Sequence, residues 1–342
     1  MILVHSLMQN PLVSILTPFK NTVAFLPECI DSIINQTYTN WELLIVDDFS
    51  TDKSYELVES YTKRDKRIKL FKNNENGIIS ALRLAFGQSN GQFITRMDSD
   101  DIMHNEKLEI LSSNLLKHGT QHIALGLVKY FSDEGLGEGF QKYEVWINEL
   151  TKTGNNFSGI YKECVIPSPC WMVHRNDLIA CDAFNPNRYP EDYDLTFRLY
   201  EQTFTCIPCS TILHYWRDYS TRSSRTQEHY AQNNFLDIKL HYFLKLDYDK
   251  SRPLSIWGAG NKGKSIAKLL IEKQIEFYWI CNNPNKIGRD IYGQRLYPFN
   301  FLKELKNTQS IITVANPDSQ KEVSLYMKNL MMKPMLDYFF FC

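Results

Sequence analysis

Residues 96–101 read Arg-Met-Asp-Ser-Asp-Asp, so Asp98, Asp100 and Asp101 arrive directly behind the apolar run Phe93-Ile94-Thr95. Carboxylates this close raise one another's pKa unless something positive sits among them. Alternate positions of an extended segment point the same way, so Asp98 and Asp100 can converge on one point. A hard divalent cation with oxygen ligands removes the repulsion, and two carboxylates leave coordination positions open for phosphate oxygens, the usual arrangement for Mg²⁺ or Mn²⁺ with a nucleotide. Helix capping is the other use of acids in this position, and it accounts for Asp101, which precedes a helix expected from about 105. It does not account for three acids behind a buried strand. A second acidic pair, Glu191-Asp192, follows Pro190 at the start of a helix expected through Tyr200. N-terminal capping explains it, and the same position also presents an acid rigidly at a cleft.

Elements must carry these residues to one place. Leu12–Thr17, Trp41–Val46, Ile68–Phe71 and Gln92–Met97 read as buried strands. Between them lie helical patterns at Phe25–Ile34, at Leu57, Val58 and Tyr61, and over Gly77–Ser89. Strand–helix alternation with near-continuous apolar strands predicts an α/β fold with a doubly wound, mostly parallel sheet. In such sheets ligands bind outside the carboxyl ends of the strands. Thr17-Pro18, Asp47-Asp48 and Asp98–Asp101 all fall at such ends.

From about 120 to 225 the pattern is less regular: a strand near Ile123–Val128, a Gly-rich turn at 135–139, then aromatic-rich loops. Residues 226–246 read as a helix leading out of the domain. Asp247, Asp249, Lys250, Ser251, Arg252 and Pro253 form a polar, helix-ending stretch, which places the boundary between a domain of residues 1–246 and a smaller one of 247–342. The second begins with a strand at Leu254–Trp257 and continues through Gly258-Ala-Gly260-Asn-Lys-Gly263, a helix at 264–273 and strands at Phe277–Cys281 and Ile311–Val314.

The chain has 342 residues, 43% hydrophobic and 23% charged, as expected of a globular protein of two domains. Its 38 Lys and Arg nearly balance 39 Asp and Glu, so nothing electrostatic points to nucleic acid. The N-terminus lacks a basic region or cleavage-like site, and no window reaches the length of a membrane span, so a soluble chain is expected. The eight cysteines are scattered, which argues for a reducing compartment. Cys206 and Cys209 have CxxC spacing in a strand-like segment and read as buried structural thiols.

The stretches VSILTPFKN (13–21), QTYTNWELLIVDDFSTD (36–52) and NGQFITRMDSDD (90–101) resemble the inverting family 2 glycosyltransferases of GT-A fold over about the first 225 residues. The resemblance implies a nucleotide-diphosphate sugar donor, often UDP-linked, and a DxD motif that holds Mn²⁺ or Mg²⁺. It implies that Thr17 and Pro18 line the nucleoside pocket and that Asp48, with Asp47 beside it, accepts from the imide N–H of the base. Asp98 would face the ribose, and the metal would lie on Asp100 with Asp98. Glu191-Asp192 sits where the family has its acidic catalytic motif, with Asp192 as base. A single in-line displacement needs a base opposite the departing diphosphate, on a segment separate from the metal site, and Asp192 meets that need. The acceptor would be a hydroxyl of a glycan or lipid-linked molecule in bacterial surface polysaccharide or glycan synthesis. The expected location is cytoplasmic, at the inner face of the cytoplasmic membrane with peripheral association; the oligomeric state is not readable.

Some positions depart from the family pattern. Arg83 stands where members commonly have Asn, and is either a contact to diphosphate or base or a solvated helix residue. Arg96 is frequent in one branch and can pair with the acids. HYWRDYSTRSSRTQEHY (214–230) resembles a segment of bacterial members with an appended C-terminal domain. There Arg217, Arg222 and Arg225 either bind diphosphate or acceptor or belong to a polar flap. GAGNKG has the strand–helix context of a dinucleotide fingerprint, so the second domain reads as Rossmann-like. The next strand, however, ends in Cys281-Asn282-Asn283-Pro284 without the acid that holds a ribose, so NAD is not expected. Similarity to the small domain appended to some bacterial sugar transferases implies a docking or regulatory module. A nucleotide-sugar oxidoreductase centred on GAGNKG would leave the first 225 residues unexplained. A catalytically silent binding module would have no need of both metal ligand and base.

Overall fold

The computed structural model describes residues 10–222 and 235–342, so Arg225 and the first part of the helix read at 226–246 lie outside the described residues. The chain divides into two compact units. One comprises residues up to Asn156 together with Val165–Arg222, and the other comprises Phe157–Cys164 and the residues from 223 to Cys342.

The first unit opens with β1 (Val13–Phe19), α1 (Leu26–Ile34), β2 (Trp41–Asp47), α2 (Ser54–Arg64), β3 (Ile68–Lys72), α3 (Ile78–Gln88) and β4 (Phe93–Arg96). All seven residues of β1 and of β2 are buried, as central parallel strands covered on both faces require. Leu26, Cys29, Ile30 and Ile33 make the buried stripe of α1 at helical spacing. There follow β5 (Ile102–Met103), α4 (Lys107–His118), β6 (His122–Leu125), β7 (Leu127–Phe131), α5 (Glu138–Thr153), β8 (Trp171–His174), α6 (Arg175–Ala180), α7 (Glu191–Glu201), β9 (Thr205–Ile207) and β10 (Ile212–Arg217). A seven-stranded sheet has the order β3-β2-β1-β4-β8-β6-β9. Its first four strands are parallel, and β8 runs antiparallel to both β4 and β6. A smaller sheet, β5-β10-β7, carries the strand that ends in Arg217.

Two differences from the sequence reading have local causes. The single strand expected near Ile123–Val128 is two, β6 and β7, divided at Gly126, where an added Cβ would lie 2.5 Å from Cβ of Leu213. The aromatic-rich region after the Gly turn holds the 16-residue helix α5, which buries only Ile147 and Thr151. Phe140, Tyr143, Ile147, Leu150 and Thr151 recur along it at helical spacing, a pattern that the reading of this region as aromatic-rich loops passed over.

The second unit contains α8 (Leu236–Leu246), β11 (Leu254–Trp257), α9 (Asn261–Glu272), β12 (Tyr278–Cys281), β13 (Asp290–Ile291), β14 (Gln294–Pro298), β15 (Gln309–Ile312), α10 (Pro317–Asn329) and β16 (Tyr338–Phe340). Its sheet has the order β13-β14-β12-β11-β15-β16 and is parallel except for the β13–β14 edge. Gly258 turns the chain out of β11 at φ +121°, and Gly263 lets α9 approach that turn, since a Cβ there would sit 2.0 Å from the Gly258 carbonyl oxygen. Tyr161 joins this unit, stacked on Phe341 at 5.3 Å and set edge-on to Phe243 and Phe339. Among the described residues no helix is long and apolar enough to cross a membrane.

Candidate functional site

Arg96, the last residue of β4, is 5% exposed and holds two acids from different parts of the chain. Its Nε donates to Asp98 Oδ1 at 3.1 Å, with Nη2 3.0 Å from the same oxygen, and Nη1 donates to Glu191 Oε1 at 2.8 Å. Burial opposes the guanidinium charge, but Asp98, Glu191 and Asp192 together raise its pKa above the ordinary value. The strand that delivers the acidic motif is therefore tied to the first residue of α7. Asp192, the next residue of α7, is pushed up to about 7 by burial and by the charge of Glu191, against the pull of Arg96. Arg96, Glu191 and Asp192 line one cavity of the first unit with Ser168, Trp171 and Phe184.

Asp101 does not cap α4, whose N-cap residue Glu106 makes no side-chain cap. Instead its Oδ2 meets Nε2 of His214 at 2.9 Å and its Oδ1 accepts the N–H of Arg217 at 2.8 Å, which fastens the acidic turn to β10. His214 Nδ1 lies 3.4 Å from Nζ of Lys107, which also donates to the Pro169 carbonyl. Asp101, Lys107 and His214 are all fully buried. Burial, helped by Lys107, holds His214 well below its ordinary pKa, so the ring is neutral and donates from Nε2 to Asp101.

The segment after β10 lies against Asp100. Tyr219 donates to Asp100 Oδ2 at 2.9 Å, Arg222 Nε is 3.9 Å from that oxygen, and Arg217 Nε donates to the Asp100 carbonyl at 2.8 Å. The Arg222 guanidinium also lies 5.4 Å from the ring centroid of Trp216, which stacks on Tyr130. Asp100 is pushed up to about 7 by burial and by Asp101, against Arg222, with Asp98 adding to the rise. A buried carboxyl in that condition gains from a further cation, which fits a hard divalent ion. Among the described residues no group of three or more His, Cys, Asp or Glu is placed to hold a metal, so protein ligation would rest on Asp98 and Asp100.

The ends of β1 and β2 form the other part of the site. Thr17 is fully buried and its Oγ1 has no hydrogen-bond partner in the protein, while Pro18 stands past the last β1 residue paired with β4. Asp47 Oδ1 accepts the N–H of Ser50 at 3.1 Å and so closes the turn after β2. Asp48 Oδ1 accepts from Asn73 Nδ2 and from the N–H of Gly77, each at 2.8 Å, and Lys20 Nζ is 4.0 Å from its Oδ2. Asn73 and Lys20 are contacts that strand-end reasoning passes over, because they reach Asp48 from neighbouring loops. Arg83 reaches the loop ahead of α7: Nε donates to the Phe184 carbonyl at 3.2 Å, and Nη2 to the Asn185 carbonyl and Asn187 Oδ1. It braces the loop ahead of Glu191. Cys206 and Cys209 are buried free thiols, and burial pushes Cys206 up to about 12.

The chain is similar to known proteins. The family description "Glycosyl transferase family 2" matches residues 14–181. An uncharacterized glycosyltransferase of Haemophilus influenzae is 43% identical over 103 residues, 30% of this chain and 41% of that protein. Glycosyltransferase GlyG of Streptococcus pneumoniae is 29% identical over 183 residues, 52% of this chain and 59% of that one. The chain thus spans about half the length of these relatives. The crystal structure of S. aureus TarS 1-349 in complex with UDP-GlcNAc superposes with a TM-score of 0.54 at 19% identity, covering 75% of this chain and 71% of that one, a likeness of fold.

Proposed function

We propose, on the match of residues 14–181 to glycosyl transferase family 2, that the chain transfers a sugar, with inversion, from a UDP-linked donor to a hydroxyl of a glycan or lipid-linked acceptor in bacterial surface polysaccharide synthesis. The observation that carries this reading is Arg96, which joins the DxD acid Asp98 to Glu191 beside Asp192. Donor-side acids and a candidate base are thereby held on one rigid frame. The unpartnered Thr17 hydroxyl at the end of β1 supports a nucleoside pocket there.

Asp192 is the base. Its carboxylate takes the proton of the acceptor hydroxyl as that oxygen forms a bond to the anomeric carbon. The bond from that carbon to the diphosphate oxygen breaks on the opposite face, and its electron pair leaves with the diphosphate. A carboxyl raised to about 7 is matched to this task near neutral pH. Glu191 is turned to Arg96, whose Nη1 donates to its Oε1 at 2.8 Å. Asp100 and Asp98 would hold Mn²⁺ or Mg²⁺, and such an ion supplies charge neutralisation at a leaving diphosphate. Arg222 and Tyr219, already on Asp100, stand ready to bind phosphate oxygens.

The test is a panel of nucleotide sugars, read by thermal shift with and without Mn²⁺ and by release of nucleoside diphosphate. Wild type should be stabilised by a UDP-sugar with Mn²⁺, and Asp100→Ala should lose that response. Tight, metal-independent donor binding that survives Asp100→Ala would remove the metal assignment, and a response to no nucleotide sugar would remove the function.

A further inference from the structure

His118 closes α4 and His122 opens β6, with the turn Gly119-Thr120-Gln121 between them. That turn is held firmly. Gly119 and Gln121 both take positive φ, +82° and +58°, a conformation that side chains other than glycine adopt rarely. The Gly119 N–H donates to the Leu115 carbonyl at 2.8 Å, the Gln121 N–H donates to Asp177 Oδ2 at 2.8 Å, and the Gln121 carbonyl accepts the N–H of Thr205 at 3.0 Å. Each imidazole is pinned as well. His118 Nδ1 lies 2.9 Å from the Asn114 carbonyl oxygen, and His122 Nδ1 lies 2.8 Å from that of Thr120. A carbonyl oxygen only accepts, so Nδ1 carries the proton in both rings and both Nε2 atoms keep a lone pair. The ring centroids are 5.6 Å apart with planes at 45°. His118 is exposed and His122 partly so, and solvent reaches both.

An imidazole whose Nδ1–H rests on a backbone carbonyl, with a lone pair on Nε2, is in the state that ligates metal ions, and that hydrogen bond is what ordinarily orients such a ligand. Two imidazoles on one tetrahedral ion, with metal–nitrogen bonds of about 2.0–2.1 Å, set their ring centroids about 5 Å apart. The spacing of His118 and His122 is close to this. Ring packing alone does not require both rings to present the same nitrogen. The carboxyl end of α4 adds the negative pole of a helix dipole, which favours a cation beside His118. Imidazole nitrogen suits Zn²⁺, Ni²⁺ and Cu²⁺, whereas Mg²⁺ and Mn²⁺ prefer oxygen. We propose that His118 and His122 together chelate one borderline divalent transition-metal ion through their Nε2 atoms, with water completing its coordination. The site stands apart from the acidic turn. Because β8 runs antiparallel to both β4 and β6, the start of β6 lies at the opposite end of the sheet from Asp98–Asp101.

The test titrates the full chain with Zn²⁺ alone by calorimetry, and records the EPR spectrum of the chain carrying an equivalent of Cu²⁺. Wild type should take up a Zn²⁺ ion that His118→Gln and His122→Gln each lose, since chelation at two points fails when either ring is gone. Asp100→Ala should retain that ion, and Mn²⁺ should not displace it. Bound Cu²⁺ should show coupling to imidazole nitrogen, and both Gln variants should lose it while melting as wild type does without metal. A wild-type chain that binds no Zn²⁺, uptake unchanged in both Gln variants, or loss in only one of them would each overturn the proposal. Loss of the same ion in Asp100→Ala would place it on the acidic turn and overturn the proposal too. A wild-type Cu²⁺ spectrum without imidazole nitrogen overturns it whatever the variants do.

Discussion

Asp192 carries its proton affinity as a property of its surroundings. Burial and Glu191 raise it to about 7, whereas an unfolded Asp titrates near about 3.9. The base works only when deprotonated, so kcat/KM is expected to rise with pH through about 7 and to fall close to tenfold per unit below about 6. The folded state also keeps a proton that the unfolded chain has released, so this group's contribution to stability declines as pH rises across that interval. Asp192→Asn should remove that slope and lower kcat about 10²–10⁴-fold, with the donor Kd unchanged. Initial rates and melting curves from pH 5 to 9 read both effects, and an Asn variant with wild-type kcat would exclude Asp192 as base.

At the scale of elements, the acidic turn is held from beneath by β10 and α4. Asp101 accepts from neutral His214, His214 from Lys107, and Lys107 also donates to the loop that carries Ser168. One buried chain of hydrogen bonds thus ties the acidic turn to β10, to α4 and to the loop at Pro169. Replacing His214 by Leu leaves Asp101 Oδ2 buried without that donor, and should cost about 1–3 kcal/mol in urea unfolding. Donor affinity should fall as well, since the turn loses its anchor; an unchanged unfolding midpoint would contradict this account. Arg83 acts in the same way on another loop, bracing residues 184–187 ahead of α7.

At the scale of the whole molecule, the chain carries its site in one unit and a second parallel sheet in the other. The second has its own core, with Trp257, Ile280, Ile312, Val323 and Met327 among its buried residues. Its glycine turn is tightly packed at Gly263, so Gly263→Ala should destabilise this unit by about 1–3 kcal/mol. Calorimetry should show the loss in the second unit's transition, with the UDP-sugar Kd of the first unit unchanged. Coupled loss of both would show that the site depends on the second unit.

The sequence by itself determined the strand–helix alternation and the strand ends that hold Thr17, Asp48 and Asp98–Asp101, because apolar runs and the residues that end them are local patterns. It also showed GAGNKG between a strand and a helix, for the same reason. It passed over α5, whose helical spacing lay hidden in a stretch read as aromatic-rich loops, and assigned Asp101 to a helix cap when its partner is His214, 113 residues away. The direction of a guanidinium was equally beyond it. Arg83 turns onto a loop brought from residues 184–187, which nothing in its neighbourhood encodes. Arg96 pairs with neighbouring Asp98 as expected, but its other partner, Glu191, comes from 95 residues away. Local sequence states which residues can do chemistry, and long-range packing decides which of them meet.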